Sequence, residues 1–222
     1  MDDIIRMIIS YLANFLAVLI VIPCHEFAHA FAAVKNGDMT PKYAGRYTLN
    51  PFAHFDLLGL AMMILVRFGW AKPVPVNPNN FRNYKKGCIE VSIAGVIANL
   101  ILAFLFCPLA MLSVRVFNTG LPDTMKRFLY YLPQSLFYLN VGLFVFNLLP
   151  LYPLDGFRLY DALTTHHGKF YFFLKRYSLY ILLGILLLGY VASYISAPWL
   201  DIIGLARNLV AMPIEKFWGL FI

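Results

Sequence analysis

Charged side chains interrupt this chain rarely, and the gaps between them predict its elements. Residues 7–24, 91–114, 128–154 and 177–200 contain no Asp, Glu, Lys or Arg. A helix of about 20 apolar residues crosses a hydrocarbon layer, so each stretch predicts a transmembrane helix. Two further apolar segments fall short of that pattern. Residues 57–66 reach only about half the layer and are expected to be re-entrant or interfacial. Residues 202–222 are broken by Arg207, Glu215 and Lys216, which suits an amphipathic or marginal final helix. The polar run at about 35–88 holds two extended-looking pieces, "PKYAGRYTLN" and "GWAKPVPVNPNN". Pro73 and Pro75 lack the ladder donor but are tolerated on an edge strand. A small membrane-associated β element between the first two spans is therefore expected, with an irregular loop as its alternative.

Composition strengthens this picture. The 222 residues are 61% hydrophobic and 13% charged, about half the charged share of ordinary soluble domains. The expected fold class is an all-α polytopic membrane protein with four to six transmembrane helices. No repeat, low-complexity tract or linker divides it, so residues 1–222 read as one domain. The first apolar run follows two acids and precedes no small-residue cleavage site, so it is expected to stay as a helix. Cys24, Cys88 and Cys107 form no CxxC pair and read as packing residues.

The net charge of +7 changes meaning in a membrane protein, where basic residues report topology and not nucleic-acid binding. Eight lysines and arginines lie between the first and second spans, from Lys35 to Lys86. Three lie between the second and third, and the loop after the third carries Arg158, Lys169, Lys175 and Arg176. The bias puts the first and third loops in the cytoplasm and the amino terminus outside. It also places His25, His29 and Asp155 at one membrane depth, on the cytoplasmic side.

That depth is where the chemistry concentrates. "HEFAHA" begins at His25, directly after the first apolar run. Residues i and i+4 share one helix face, so His25 and His29 can offer imidazole nitrogens to one metal ion, with Glu26 beside the open position. This is the HExxH arrangement of zinc hydrolases. Zinc lowers the pKa of a water it binds to about 7, and an adjacent carboxylate can take the proton. The bland alternative, histidines bonded across the helix bundle, leaves three costly ionisable groups within five positions unexplained. A catalytic zinc needs a third protein ligand, and the candidates by type are Asp155, His54, Asp56, and the pair His166 and His167. Asp155 lies in "FNLLPLYPLDGFRLYDAL", where Pro150, Pro153 and Gly156 break the third span near its end. Broken backbone at membrane depth is tolerated where it lines a cavity. Asn147 reads equally as buried hydrogen-bonding glue or as a substrate contact. The Gly95 to Asn99 spacing suits close helix packing at least as well as a catalytic role. His166 and His167 in "TTHHGK" suit a solvated loop.

"HEFAHA" in a first span joined to "NLLPLYPLDG" in a later one resembles the site-2 proteases, intramembrane zinc metalloproteases. "GRYTLNPFAHFD", "GWAKPVPVNP" and "AGVIAN" extend the resemblance across most of residues 20–160, toward the short bacterial branch without a PDZ domain. Val96 and Leu57 stand where many relatives carry proline. The resemblance implies His25, His29 and Asp155 as ligands of one zinc ion per chain and Glu26 as catalytic base. It implies Asn147 near the bound peptide, and His54 and Asn99 near the site without ligating. It further implies a core at about 7–160 with additional helices at about 177–222. The activity implied is regulated intramembrane proteolysis, the hydrolysis of peptide bonds in or near the transmembrane segments of single-span substrates in the cell membrane. Edge-strand pairing would hold such a substrate. A homo-oligomer or a regulatory membrane partner stays open. The alternative class is a zinc transporter or sensor without hydrolysis, which has no use for a non-ligand carboxylate at Glu26.

Overall fold

A computed structural model describes residues 2–56, 58–59, 71–165 and 167–222. Eight α-helices are named among them: α1 (Asp2–Lys35), α2 (Thr40–Tyr43), α3 (Pro51–His54), α4 (Tyr84–Ser113), α5 (Asp123–Leu148), α6 (Asp155–Leu163), α7 (Lys169–Tyr194) and α8 (Ile202–Trp218). Helices α1, α4, α5 and α7 are long and apolar enough to cross a membrane. The expected segment at 57–66 and His166 fall largely or wholly outside the described residues.

Helices α1, α4 and α5 pack on one another through small residues. Ala13, Ala17 and Ala33 of α1 and Ala103 and Ala110 of α4 are buried, which lets backbones approach closely where no hydrophobic force separates helix from lipid. Ala17 and Val21 meet Leu136 of α5. Ala103, Cys107 and Ala110 meet Phe137, Val141 and, from α8, Ala211 and Ile214. The final helix is thus docked against the bundle, and Trp218 Nε1 donates to the Phe104 carbonyl at 2.9 Å. Apolar side chains such as Ile101, Leu105, Leu183 and Leu187 face outward, as a lipid-facing surface requires.

The third span ends at Leu148, six residues before the charge-free run does and just before the prolines expected to break it. Pro150 and Pro153 have no N–H to continue it, and the chain turns through short bonds from Leu151 to Leu149 and from Leu154 to Leu151. Tyr152 N–H finds the Ser178 hydroxyl of α7 at 2.9 Å. The small β element is not supported: among the described residues there is no strand, only a single antiparallel bridge between Phe55 and Ala71. The reason lies in where the 71–77 backbone groups go. Lys72 N–H donates to the His54 carbonyl, but Val74 N–H goes to the Glu26 carboxylate and Asn77 N–H to the Asp38 carboxylate. The Lys72 and Pro73 carbonyls accept from the buried Arg46 guanidinium, which also reaches Ala53 O. Side chains hold this segment extended, where a partner strand would otherwise have done so.

Asp38 organises the opposite end of that loop. Helix α1 stops at Lys35, and Gly37 takes the left-handed conformation at φ 109° that ends many helices. Asp38 then accepts from Thr40 N–H and hydroxyl, Asn77 N–H and the Asn80 amide, joining the chain after α1 to the chain before α4.

Candidate metal centre

His25 and His29 lie one turn apart on α1, with both rings buried against α4. Gly95 makes that contact feasible. A Cβ at this position would overlap both imidazole rings, so only a bare helix face admits them. The third member arrives from α6. Gly156 sits so close to the Leu148 and Leu149 carbonyls that a Cβ would collide with them, and this tight return aims Asp155 at α1. Asp155 Oδ2 lies 3.0 Å from His29 Nε2 and 3.2 Å from His25 Nε2, and the two Nε2 atoms are 3.1 Å apart.

The outer nitrogens define what the inner ones offer. His29 Nδ1 is 2.7 Å from the Val91 carbonyl, which can only accept, so Nδ1 carries the proton. His25 is fixed through a relay. Asn140 Nδ2 donates to the Leu136 carbonyl, leaving Asn140 Oδ1 to accept from Asn99 Nδ2, which leaves Asn99 Oδ1 facing His25 Nδ1 at 2.6 Å. His25 Nδ1 is therefore also protonated. With Nδ1 so engaged, each ring turns Nε2 toward the other and toward a carboxylate oxygen, the orientation in which two neutral imidazoles and a carboxylate would share a cation.

This donor set fits a zinc ion. Two neutral imidazoles and one carboxylate are a standard catalytic complement, and each imidazole donates its second N–H to an oxygen, as metal-bound histidines do. Ligands at about 2.0–2.2 Å on a tetrahedral ion lie roughly 3.2–3.6 Å apart, so the trio needs to open by only a few tenths of an ångström. Among the described residues this is the group of His, Cys, Asp and Glu side chains with convergent donor atoms.

The remaining sequence candidates fall around this centre or away from it. Glu26 is half-buried and stands apart from the trio, its Oε2 accepting from Val74 N–H at 3.2 Å. Asn99 is buried and holds His25. Asn147 is half-buried, and no hydrogen bond of its side chain occurs among the described residues. His54 is fully buried but is not in the convergent group. Its Nε2 bonds the Thr48 carbonyl at 2.7 Å, and its Nδ1 has no partner among the described residues. Asp56 accepts from the N–H groups of Leu58 and Gly59. His167 is exposed, 3.0 Å from Asp161 and against the Tyr171 ring. All three cysteines are free thiols, and none is among the convergent donors. Sequence reasoning missed Asn140, the Val91 carbonyl and Val74 N–H. Asn140 alone carried a signal, being an amide in a charge-free span.

Fold and site describe a helical protein with four helices able to cross a membrane and a trio able to hold a metal ion, joining the first long helix to the short helix after the third, and its relatives carry matching names. The chain is 42% identical over 147 residues to the protein named putative zinc metalloprotease YwhC of Bacillus subtilis, covering 63% of this chain and 64% of that one. It is 34% identical over 171 residues to putative zinc metalloprotease Rip2 of Mycolicibacterium smegmatis, covering 71% and 60%. Rip2 of Mycobacterium tuberculosis is 34% identical over 146 residues, covering 64% and 52%. Each of these relatives is named a putative zinc metalloprotease, and the chain is similar to them over the shared region. The chain thus spans less than two thirds of the length of these curated relatives. No family model and no solved structure matches it.

Proposed function

We propose that this protein is an intramembrane zinc metalloendopeptidase that hydrolyses peptide bonds in or near the transmembrane segments of membrane-protein substrates. The observation that carries this reading is the buried convergence of His25, His29 and Asp155 with Glu26 held separately beside them. Zinc at that trio supplies a polarising Lewis acid and an acidified water.

The chain's own residues supply the rest. His25 and His29 hold their Nε2 atoms inward because Asn99 and Val91 bind their Nδ1 protons. Glu26, oriented by Val74 N–H, takes the proton of the water that adds to the scissile carbonyl. It returns that proton to the nitrogen as the C–N bond breaks. Asn147, whose amide has no partner among the described residues, offers it to the substrate backbone. A helical peptide carbonyl is shielded by its i+4 amide, so the substrate must unwind before attack. Val74 C=O and both backbone groups of Val76 have no partner among the described residues and can pair with such an unwound chain. The substrates are single-span proteins, and the centre faces the cytoplasmic side by the distribution of lysine and arginine. Glu26, next to His25 yet outside the donor trio, favours hydrolysis over a zinc transporter or sensor, where such a carboxylate would serve only to hold Val74 N–H.

The test is cleavage of a single-span substrate by wild type and Glu26→Gln in parallel, with mass mapping of the cut and zinc content measured on both. Cleavage abolished with zinc retained supports the proposal. Equal cleavage by both proteins, or a cut far outside the apolar segment, contradicts it.

A further inference from the structure

A cavity of about 510 Å³ opens between the start of α4, the extended 74–76 run and the end of α6. That volume is within the roughly 300–1,000 Å³ range of sites that enclose a ligand. Its walls are shared with the metal centre at two points. Val74 lines the cavity while its N–H holds Glu26, and Val91 lines it while its carbonyl holds His29. The cavity therefore adjoins the metal centre.

Four charged or titratable groups face this space beside Tyr84 and Cys88: Lys85, Arg158, Asp161 and His167. Asp161 and His167 pair with each other at 3.0 Å. Lys85 and Arg158 have no ion pair among the described residues. Two unmatched cations thus stand over apolar walls of Val74, Val76 and Ala162, along a run whose backbone groups are partly unpaired.

We propose that this cavity binds the flank of the polypeptide substrate beside the scissile bond and selects an acidic side chain there through Lys85 and Arg158. The proposal rests on the peptidase reading and narrows its substrates to segments with an aspartate or glutamate next to the apolar part. A carboxylate suits the pair, since Arg158 offers a planar fork and Lys85 a point charge. The apolar walls and free backbone groups favour a peptide over a bare phosphate, which would need a denser set of donors.

The test reads binding, so it does not depend on turnover. Purified Glu26→Gln protein in neutral detergent is titrated with three labelled peptides of one apolar sequence, flanked by Asp-Glu, Asn-Gln or Lys-Lys, and anisotropy gives each Kd. The acidic peptide is expected to bind about fivefold tighter than the neutral one, less so at high salt. Adding Lys85→Glu and Arg158→Glu is expected to move the preference to the lysine peptide. Lys85→Gln with Arg158→Gln, checked for zinc content and helicity, serves if the reversal does not fold. Equal affinity for all three peptides overturns the proposal, as does a preference that survives both double variants. Equal displacement of acidic and neutral peptides by inorganic phosphate or anionic-lipid micelles also overturns it, in favour of a phosphate site. If wild type binds with the stated preference yet cuts none of the peptides, the peptidase reading fails while the binding result stands.

Discussion

The proton on each histidine Nδ1 follows from what its neighbour can accept, and that turns each Nε2 toward the centre. Asn140 never touches the donor trio, yet it sets the direction of the Asn99 amide and hence the tautomer of His25. Asn140→Leu is expected to lower zinc affinity about 10- to 100-fold, the usual cost of losing a partner behind a ligand, with helicity unchanged. Competition against a chelating dye measures it. Gly95→Ala is expected to be harsher, because its methyl would occupy the space of both rings; zinc content after dialysis should fall to background. His25, Glu26 and His29 were legible because HExxH encodes its geometry within one helical turn. Asn140 was not, because a lone amide in an apolar helix shows that it needs a partner but not which one. Gly95 was legible as a close-packing residue, though the sequence could not say that the objects packed there were the histidines.

At the scale of elements, charge-free length located the four long helices, and the prolines marked where the third one breaks. The apolar run continues to 154, but Pro150 and Pro153 end the hydrogen-bond ladder sooner and the chain returns as α6. The β element is not supported among the described residues, since an extended, proline-bearing run says nothing about which groups satisfy its backbone. Here Arg46, Asp38 and Glu26 do so. Asp38 gives this arrangement a pH signature. Burial works against its charge, but the bonds from Thr40, Asn80 and Asn77 outweigh burial and hold its carboxyl below the usual carboxylate range. A lowered folded-state pKa stabilises above the unfolded value of about 3.9, and that stabilisation fades as pH falls further. Asp38→Asn is expected to melt lower than wild type at pH 7, with the gap shrinking below about pH 4. Thermal melts of both proteins across that range check it.

Across the whole molecule, α1, α4 and α5 form a bundle of small-residue contacts, α8 docks against it, and the trio joins the first long helix to the segment after the third. An ion held there links parts of the chain 126 positions apart. Zinc at a hundredfold excess over its Kd adds about 2.7 kcal/mol to stability, so chelation is expected to lower the melting temperature of wild type and leave that of Asp155→Ala unmoved. The central claim, one zinc ion shared by His25, His29 and Asp155, is tested most directly by zinc X-ray absorption on purified wild type and Asp155→Ala. The account predicts nitrogen and oxygen neighbours at about 2.0–2.2 Å with the scattering of two imidazoles, and one oxygen fewer or no bound zinc in the variant. A sulfur neighbour near 2.3 Å, or a wild-type shell that persists unchanged without Asp155, would contradict it.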